Sequence, residues 1–350
     1  MTQEFLIRFA RLALVLQVAF AAPIAAGGFD RADSHAPVGV MGDHTHDAGD
    51  VMLSYRFSRM HMDGNRSRTT DESRADILGP PPGRFPVVPT EMDMQMHMFG
   101  AMFAPHDRVT LMGMLPLVNL RMKHVTAMGG RFTTESQHVG DVKTGALIKV
   151  FHQGPHHVHL NAGISLPTGE IRHRDDTPLG RQRLPYPMQT GSGTYDLMPG
   201  ATYFGHSDAL SWGLQALGTV RTGRNSLGYR LGNRVEGTGW AALPLGDALS
   251  LSARAKWSSW GNIIGNDDAL NPNIVPTADP NRRGGHRLDL LAGLNVYVPI
   301  GPLGKHRFAL EAGFPAYQWL DGPQLETDWQ VTFGWQLAFR GLVPGLGGGH

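Results

Sequence analysis

Residues 328–339 read DWQVTFGWQLAF. In an extended chain successive side chains point to opposite faces. Trp329, Val331, Phe333, Trp335, Leu337 and Phe339 therefore share one face, and Asp328, Gln330, Thr332, Gly334, Gln336 and Ala338 share the other. The first face is apolar, with aromatic residues at both ends. The second is polar or small. This is the pattern of a strand that crosses a bilayer, meets both interfaces with aromatic rings and turns its polar side inward.

The same alternation recurs along the chain, at about 50–62, 91–103, 108–123, 142–151, 157–166, 193–205, 209–222, 227–243, 248–260, 286–298 and 305–317. Long connections (63–90, 124–137, 167–192, 261–285) alternate with short ones (104–107, 154–155, 206–208, 245–247, 301–304). A soluble sandwich has no reason to sort its loops by parity, whereas a barrel with short periplasmic turns and long outer loops does. The expected fold is all-β: a transmembrane antiparallel up-and-down β-barrel of about 12 strands over residues 50–339. A soluble periplasmic or extracellular sandwich or lectin-like domain is the alternative.

The amino terminus reads as a secretory signal over 1–26. Arg8 and Arg11 precede the apolar run LALVLQVAF at 12–20, with Ala19-Phe20-Ala21 or Ile24-Ala25-Ala26 as the cleavage site. The run is short for a spanning helix, so an uncleaved anchor is the lesser reading. No other stretch reaches 18 apolar residues, and any further crossing must use strands. Residues 27–49 are rich in Gly, Asp and His and are expected to hang in the periplasm or to form a disordered or plug-like N-terminal segment. Residues 340–350 are expected to be a flexible tail.

Composition removes several function classes. The formal net charge is +1, which gives no case for a nucleic-acid partner. The chain has no Cys, so disulfides, thiolate chemistry and cysteine metal sites are absent. It has no HExxH, G-x-S-x-G or P-loop, and the expectation is a non-enzyme without a resident cofactor.

If the apolar faces meet lipid, the opposite faces line a lumen. That assignment puts Arg56, Asp93, Gln95, His97, Lys143, Lys149, His159, Asn161, Asp196, Gln215, Arg230, Arg234, Glu236, Arg254, Lys256, Asp289, Glu311 and Gln336 inside. Either they form an ion-pair network filling a narrow barrel, or they line a pathway whose mixed charge sets selectivity. The alternation at 91–103 puts Met92, Met94, Met96 and Met98 on the lipid face. Thirteen of the 16 Met fall between Met41 and Met128. Thioether and imidazole suit copper, so His44 and His46 in the motif HTHD are metal candidates, and His157 and His159 share a strand face.

Several stretches resemble the outer-membrane family of meta-pathway phenol-degradation and transporter-like β-barrels. They are PVGVMGDH at 37–44, LSYRF at 53–57 with MHMDGN at 60–65, SLPTG at 165–169, and LPYPMQTGSGTYDLMPG at 184–200. The final strand, ending on Phe339, is similar to the assembly signal of bacterial outer-membrane barrels. The resemblance implies a Gram-negative outer-membrane barrel that meets lipid, the barrel assembly machinery and small solutes. It also implies passive or facilitated passage of small molecules, aromatic or apolar ones among them. A copper-handling outer-membrane protein using the Met/His-rich segments is the second reading, and a surface barrel with a closed lumen is the third.

Overall fold

The computed structural model describes residues 31–82, 84–300 and 305–343. The expected signal peptide and residues 344–350 of the expected tail lie outside them. Fifteen strands follow in order: Val51–Arg68 (β1), Thr70–Glu72 (β2), Val87–His106 (β3), Val109–Thr126 (β4), Arg131–Val139 (β5), Val142–Gln153 (β6), His156–Leu166 (β7), Arg174–Thr177 (β8), Gly180–Arg183 (β9), Asp196–His206 (β10), Ser211–Arg221 (β11), Arg234–Pro244 (β12), Leu249–Trp260 (β13), Gly285–Tyr297 (β14) and His306–Phe339 (β15).

Eleven of these close an antiparallel ring in the order β15-β14-β13-β12-β11-β10-β7-β6-β4-β3-β1, with β1 pairing back to β15. The ring has twelve crossings, because β15 is folded on itself. Its first half, from Arg307 to Leu320, pairs with β14, and its second, from Leu320 to Phe339, pairs with β1. The reversal is fixed by Gln318, whose Nε2 donates to Thr327 O at 2.9 Å while its Oε1 accepts the Thr327 N–H at 3.0 Å. Nine residues of straight strand would hold those groups roughly 30 Å apart.

Strands β2 and β5 lie outside the ring. The segment expected as loop between β4 and β6 holds β5. It pairs with the far half of β4, from Leu117 to Val125, while β6 pairs with the near half, from Val109 to Met114. Strands β8 and β9 form a separate hairpin within the expected 167–192 loop.

The short turns sit at the end where the described chain begins. Gly49 and Asp50 bond Ala104 beside the β3–β4 turn, Ala32 N donates to Asp247 O at the β12–β13 turn, and Arg31 reaches Ser207 O at the β10–β11 turn. The C-terminal segment is tied there too: Gly341 N donates to Asp50 Oδ1 and Val343 N to Gly49 O.

The outer surface is a band of exposed aliphatic side chains, including Leu160, Leu214, Leu251, Leu290 and Leu310. Leu214 is 61% exposed and Leu160 44%, on a protein whose inward positions carry buried charge. A continuous apolar band of this kind has water as its worst neighbour and hydrocarbon as its best. Aromatic clusters border it. Toward the long loops, Trp257, His286 and Trp319 pack in series and His61 stacks on Trp329. Toward the turns, Trp212 donates to Tyr203 OH and Trp335 to His306. Tyr195, just before β10, and Tyr203 within it stand eight residues apart, roughly 20 Å across the band once the usual strand tilt is taken out.

Val331, within the apolar face of 328–339, pairs with Arg59, whose guanidinium lies over the Trp329 ring, and so stands at the interface. Leu160, opposite Ala201, and Leu290, central in β14, stand near the middle of the band. Leu160→Arg and Leu290→Arg should each destabilise the inserted barrel by roughly 2–4 kcal/mol. Urea unfolding of the protein in lipid vesicles measures this, and unchanged stability in both would reverse the inside–outside assignment.

Candidate functional site

The lumen is occupied by the chain's own N-terminal segment. Residues 31–50 enter at the turn end and run among the inward side chains of nearly every strand. Ser211 Oγ donates to Asp33 O, and Arg307 Nη1 donates to Arg31 O. Further in, His159 Nε2 and Asn161 Nδ2 both donate to Gly42 O, at 2.9 and 3.1 Å, and Gln215 Nε2 donates to Met41 O at 2.9 Å. Ala36 and Val40 pack on Trp240. On the way out, Thr110 Oγ1 accepts the His46 N–H and Asp107 Oδ1 accepts that of Ala48. Segment 27–49 was expected as either a periplasmic tail or a plug; its described part is a plug.

The fit is close. The space left between Val38, Val40, Arg56, Asp43 and the β14–β15 wall is about 20 Å³, room for about one water. A Cβ on Gly39 would overlap Arg254 Nη2 and sit 2.6 Å from Glu311 Oε1. A Cβ on Gly334, in the wall, would overlap Val38 Cγ2.

Above the plug the wall is charged and paired. Arg254 Nε binds Glu311 Oε2 at 3.0 Å, with both side chains nearly inaccessible. Arg287 and Lys256 converge on Asp289 at 2.9 and 3.5 Å. Arg234 Nη2 meets Glu236 Oε1 at 2.9 Å, Ser258 Oγ donates to the same carboxylate, and Arg221 pairs with Asp196. Arg56 faces the plug beside Asp43, Lys143 stands among Glu236, Arg234, Arg221 and Asp141, and Lys149 reaches Asp47. Arg56, Lys143, Lys149, His159, Asn161, Arg234, Glu236, Arg254, Lys256, Asp289 and Glu311 thus stand on the face the alternation gave them.

Four residues do not. Asp93, Gln95 and His97 point outward. In the β1–β3 register His97 lies opposite Phe57 and Met98 opposite Arg56, so Met98 shares the lumen with Arg56 and His97 the outer face with Phe57. Tyr55 OH hydrogen-bonds His97 Nδ1 at 2.8 Å, and Asp93 binds Arg59 at 2.8 Å. The reason is that polarity marks the lumen only where lipid covers the outside, and the far half of β3 stands at the interface, where Arg59 and His61 balance Asp93. Arg230 is not on a wall strand: β12 starts at Arg234, and Arg230 Nη1 donates to Arg221 O from the preceding loop.

The methionines move accordingly. Met92, Met98 and Met102 are buried inside the barrel, not in lipid. Met92, Leu120 and Met122 pack with Leu184 and Met188 of the loop after β9, and Met62, Met94 and Leu325 border them. Ser136 Oγ donates to Met188 O and fixes that loop inside the rim. The outer mouth is therefore packed on one side by a buried, thioether-rich apolar cluster, which polarity alone could not reveal.

His44 and His46 lie in the plug with ring centroids 4.8 Å apart. His35, which no motif singles out, comes within 4.0 Å of His44. Burial, then Arg307, keeps the His35 imidazole well below its usual pKa, and burial, then His44, lowers His46 to about 3. Both are neutral at physiological pH. Burial opposes ionisation of Asp43, but His44, His35 and Arg56 outweigh it and hold the carboxylate below its usual range. His157 and His159 share a face but part company: His159 bonds Gly42, while His157 packs edge-on to His152, 4.2 Å away.

No family model matches the chain, and no curated protein matches it. Among solved structures it is similar to an outer membrane channel from Pseudomonas putida F1, at 11% identity and a TM-score of 0.59 over 85% of this chain and 98% of that one. This similarity shows a shared fold. The KdgM porin (9% identity, TM-score 0.38, 83% and 99% covered) and a Pseudomonas aeruginosa FadL homologue (11%, 0.40, 84% and 90%) are more distant.

The plug contacts generate a test. Arg254 and Glu311 are flexible side chains in general, but here each pins the other, so a side chain at position 39 must break a buried pair or expel the plug. Breaking such a pair costs roughly 3–5 kcal/mol, as much as several of the plug's hydrogen bonds supply at about 0.5–1.5 kcal/mol each. Gly39→Leu, on the plug, and Gly334→Leu, on the wall, should each expose residues 31–50 to protease while leaving the barrel heat-modifiable on gels. Full protection of the segment in both variants would mean that the plug does not sit where described.

Proposed function

We propose that this chain is an outer-membrane channel for small solutes, closed in this state by its own N-terminal segment. The observation that carries the reading is how the interior is filled. Barrels of about eight strands fill themselves with wall side chains, and those of 16–18 leave water. A twelve-crossing ring lies between, and this one is filled by residues 31–50, which lead directly into β1. Withdrawal of that segment toward the periplasm opens a pathway without disturbing one wall hydrogen bond of the ladder.

The lining supports a sequence of two environments. A solute entering from the long-loop side first meets the half-buried Met62 and Met94, thioethers that are soft and adaptable toward flat or apolar groups. It then meets the paired charges around Asp289 and Glu236, whose field discriminates by charge and size. Small aromatic or apolar molecules carrying one polar group satisfy both, in keeping with the phenol-degradation resemblance of segments 37–44 and 184–200. Passage is diffusive and requires no covalent chemistry. Export by the N-terminal signal and insertion by the barrel assembly machinery belong to the same reading.

Planar-bilayer conductance and liposome swelling test it. Full-length protein should show low conductance, and a variant lacking residues 31–48 a several-fold higher one. Liposomes carrying the shortened protein should swell faster in small phenolic solutes than in sugars of equal size. If the shortened protein passes neither, the lumen is a structural filling and the channel reading fails.

A further inference from the structure

The plug carries a set of imidazoles that the barrel does not use. His35 and His44 stand at the two ends of the loop 36–43, whose tip bears the residues that touch Gly334, Trp240 and His159. The ends are already drawn together: Asp43 Oδ2 accepts the Ala36 N–H at 3.0 Å, and Asp43 Oδ1 faces His44 Nδ1 at 3.1 Å. One ligand atom each from His35, Asp43 and His44 lies within 4.8 Å of the others. Among the described residues His35 Nδ1, His44 Nε2 and His46 Nε2 are buried without a hydrogen-bond partner. The His46 side chain is 8% exposed. Buried imidazole nitrogens in native proteins are ordinarily partnered, so a group of three that are not calls for a ligand.

We propose that His35, Asp43 and His44 form a binding site for a divalent first-row transition ion of the zinc or copper(II) class, with His46 as a further donor, and that the ion staples the plug loop shut. Two imidazoles and one carboxylate suit borderline ions of this kind. Calcium and magnesium take oxygen ligands, whereas two of these three donors are imidazole nitrogens. Asp43 is oriented by the Ala36 N–H, as ligating carboxylates are by their supporting bonds. The site has an entry path: His35, His44 and His46 border a cavity of about 200 Å³ at the turn end, also lined by Asp47 and Asp50. Because the ligands flank the two ends of the loop, binding energy becomes folding energy of the plug.

The site is independent of whether solutes cross, and its test reads metal directly. Full-length protein, stripped with chelator, is titrated with zinc chloride or copper(II) chloride by calorimetry. One equivalent should bind, and residues 31–50 should gain protection from protease that chelator reverses. His35→Ala/His44→Ala should weaken the affinity by more than about 100-fold, beyond what loss of a merely supporting group does. His138→Ala/His173→Ala, an imidazole pair outside the plug, should leave it unchanged. If the plug variant misfolds, copper(II) electron paramagnetic resonance of the wild type decides, because at least two coordinated nitrogens are required. Failure of the wild type to bind, equal affinity in the plug variant, or a copper signal without nitrogen coupling would each overturn the proposal.

Discussion

The seam between β1 and β15 is the constraint on which the structure depends. It runs from Val51 opposite Phe339 to Arg68 opposite Leu320. Without it the sheet has two open edges, and in hydrocarbon each unpaired backbone group costs several kcal/mol. With it, every residue of the wall must face either outward or into an enclosed space. The aliphatic band and the buried charges follow from that single choice. Reversal of β15 upon itself is part of the same requirement, since one of its halves serves β14 and the other β1.

Closure creates an interior that must be satisfied as well as filled. Arg221 and Lys256 each find a carboxylate on the neighbouring stave, Arg254 reaches Glu311 two staves away, and Arg287 pairs with Asp289 on its own strand. What the wall leaves over are hydrogen-bond donors aimed at the axis: His159, Asn161 and Gln215. The segment 37–44 meets them with backbone carbonyls, and it can come close enough because glycines stand at the points of contact. Gly42 has φ +61°, a conformation favoured by glycine, and a Cβ there would crowd Asn161. Gly39 passes the Arg254–Glu311 pair. The sequence PVGVMGDH is therefore shaped by the wall it touches.

All twelve crossings were legible in the sequence, because period-two alternation and loop parity are imposed by the bilayer itself. The face of β3 was not. Its even positions are Met and its odd positions include Glu91, Asp93, Gln95 and His97, which reads as lipid outside and water inside. In the fold the far end of this strand stands at the interface, where outward Asp93 can bind Arg59, while the inward Met92 packs against a loop that returns into the mouth. Apolar character says only that a side chain avoids water, and a loop-filled lumen does so as well as lipid. Arg230 was misplaced because a strand boundary has no mark when its flanking loop also alternates. His35 was invisible because its partners, Asp43 and His44, become neighbours only when the loop between them closes.

The wall and the plug differ in how they are held, and this difference is what a gate requires. The wall is stabilised by continuous ladders that no solvent can replace within hydrocarbon. The plug is held by side-chain donors to its main chain, at about 0.5–1.5 kcal/mol each once exchange with water is counted, and by the small apolar cluster of Ala36, Val40 and Trp240. Segments with few apolar contacts open at far lower free energy than the body they dock on. The proposed withdrawal of the plug thus leaves the barrel's own ladders intact. Because the wall recognises mainly carbonyls and the absence of side chains, the grip is set by backbone shape. A clasp at the neck of the loop, such as the imidazoles of His35 and His44 supply, acts on that shape directly.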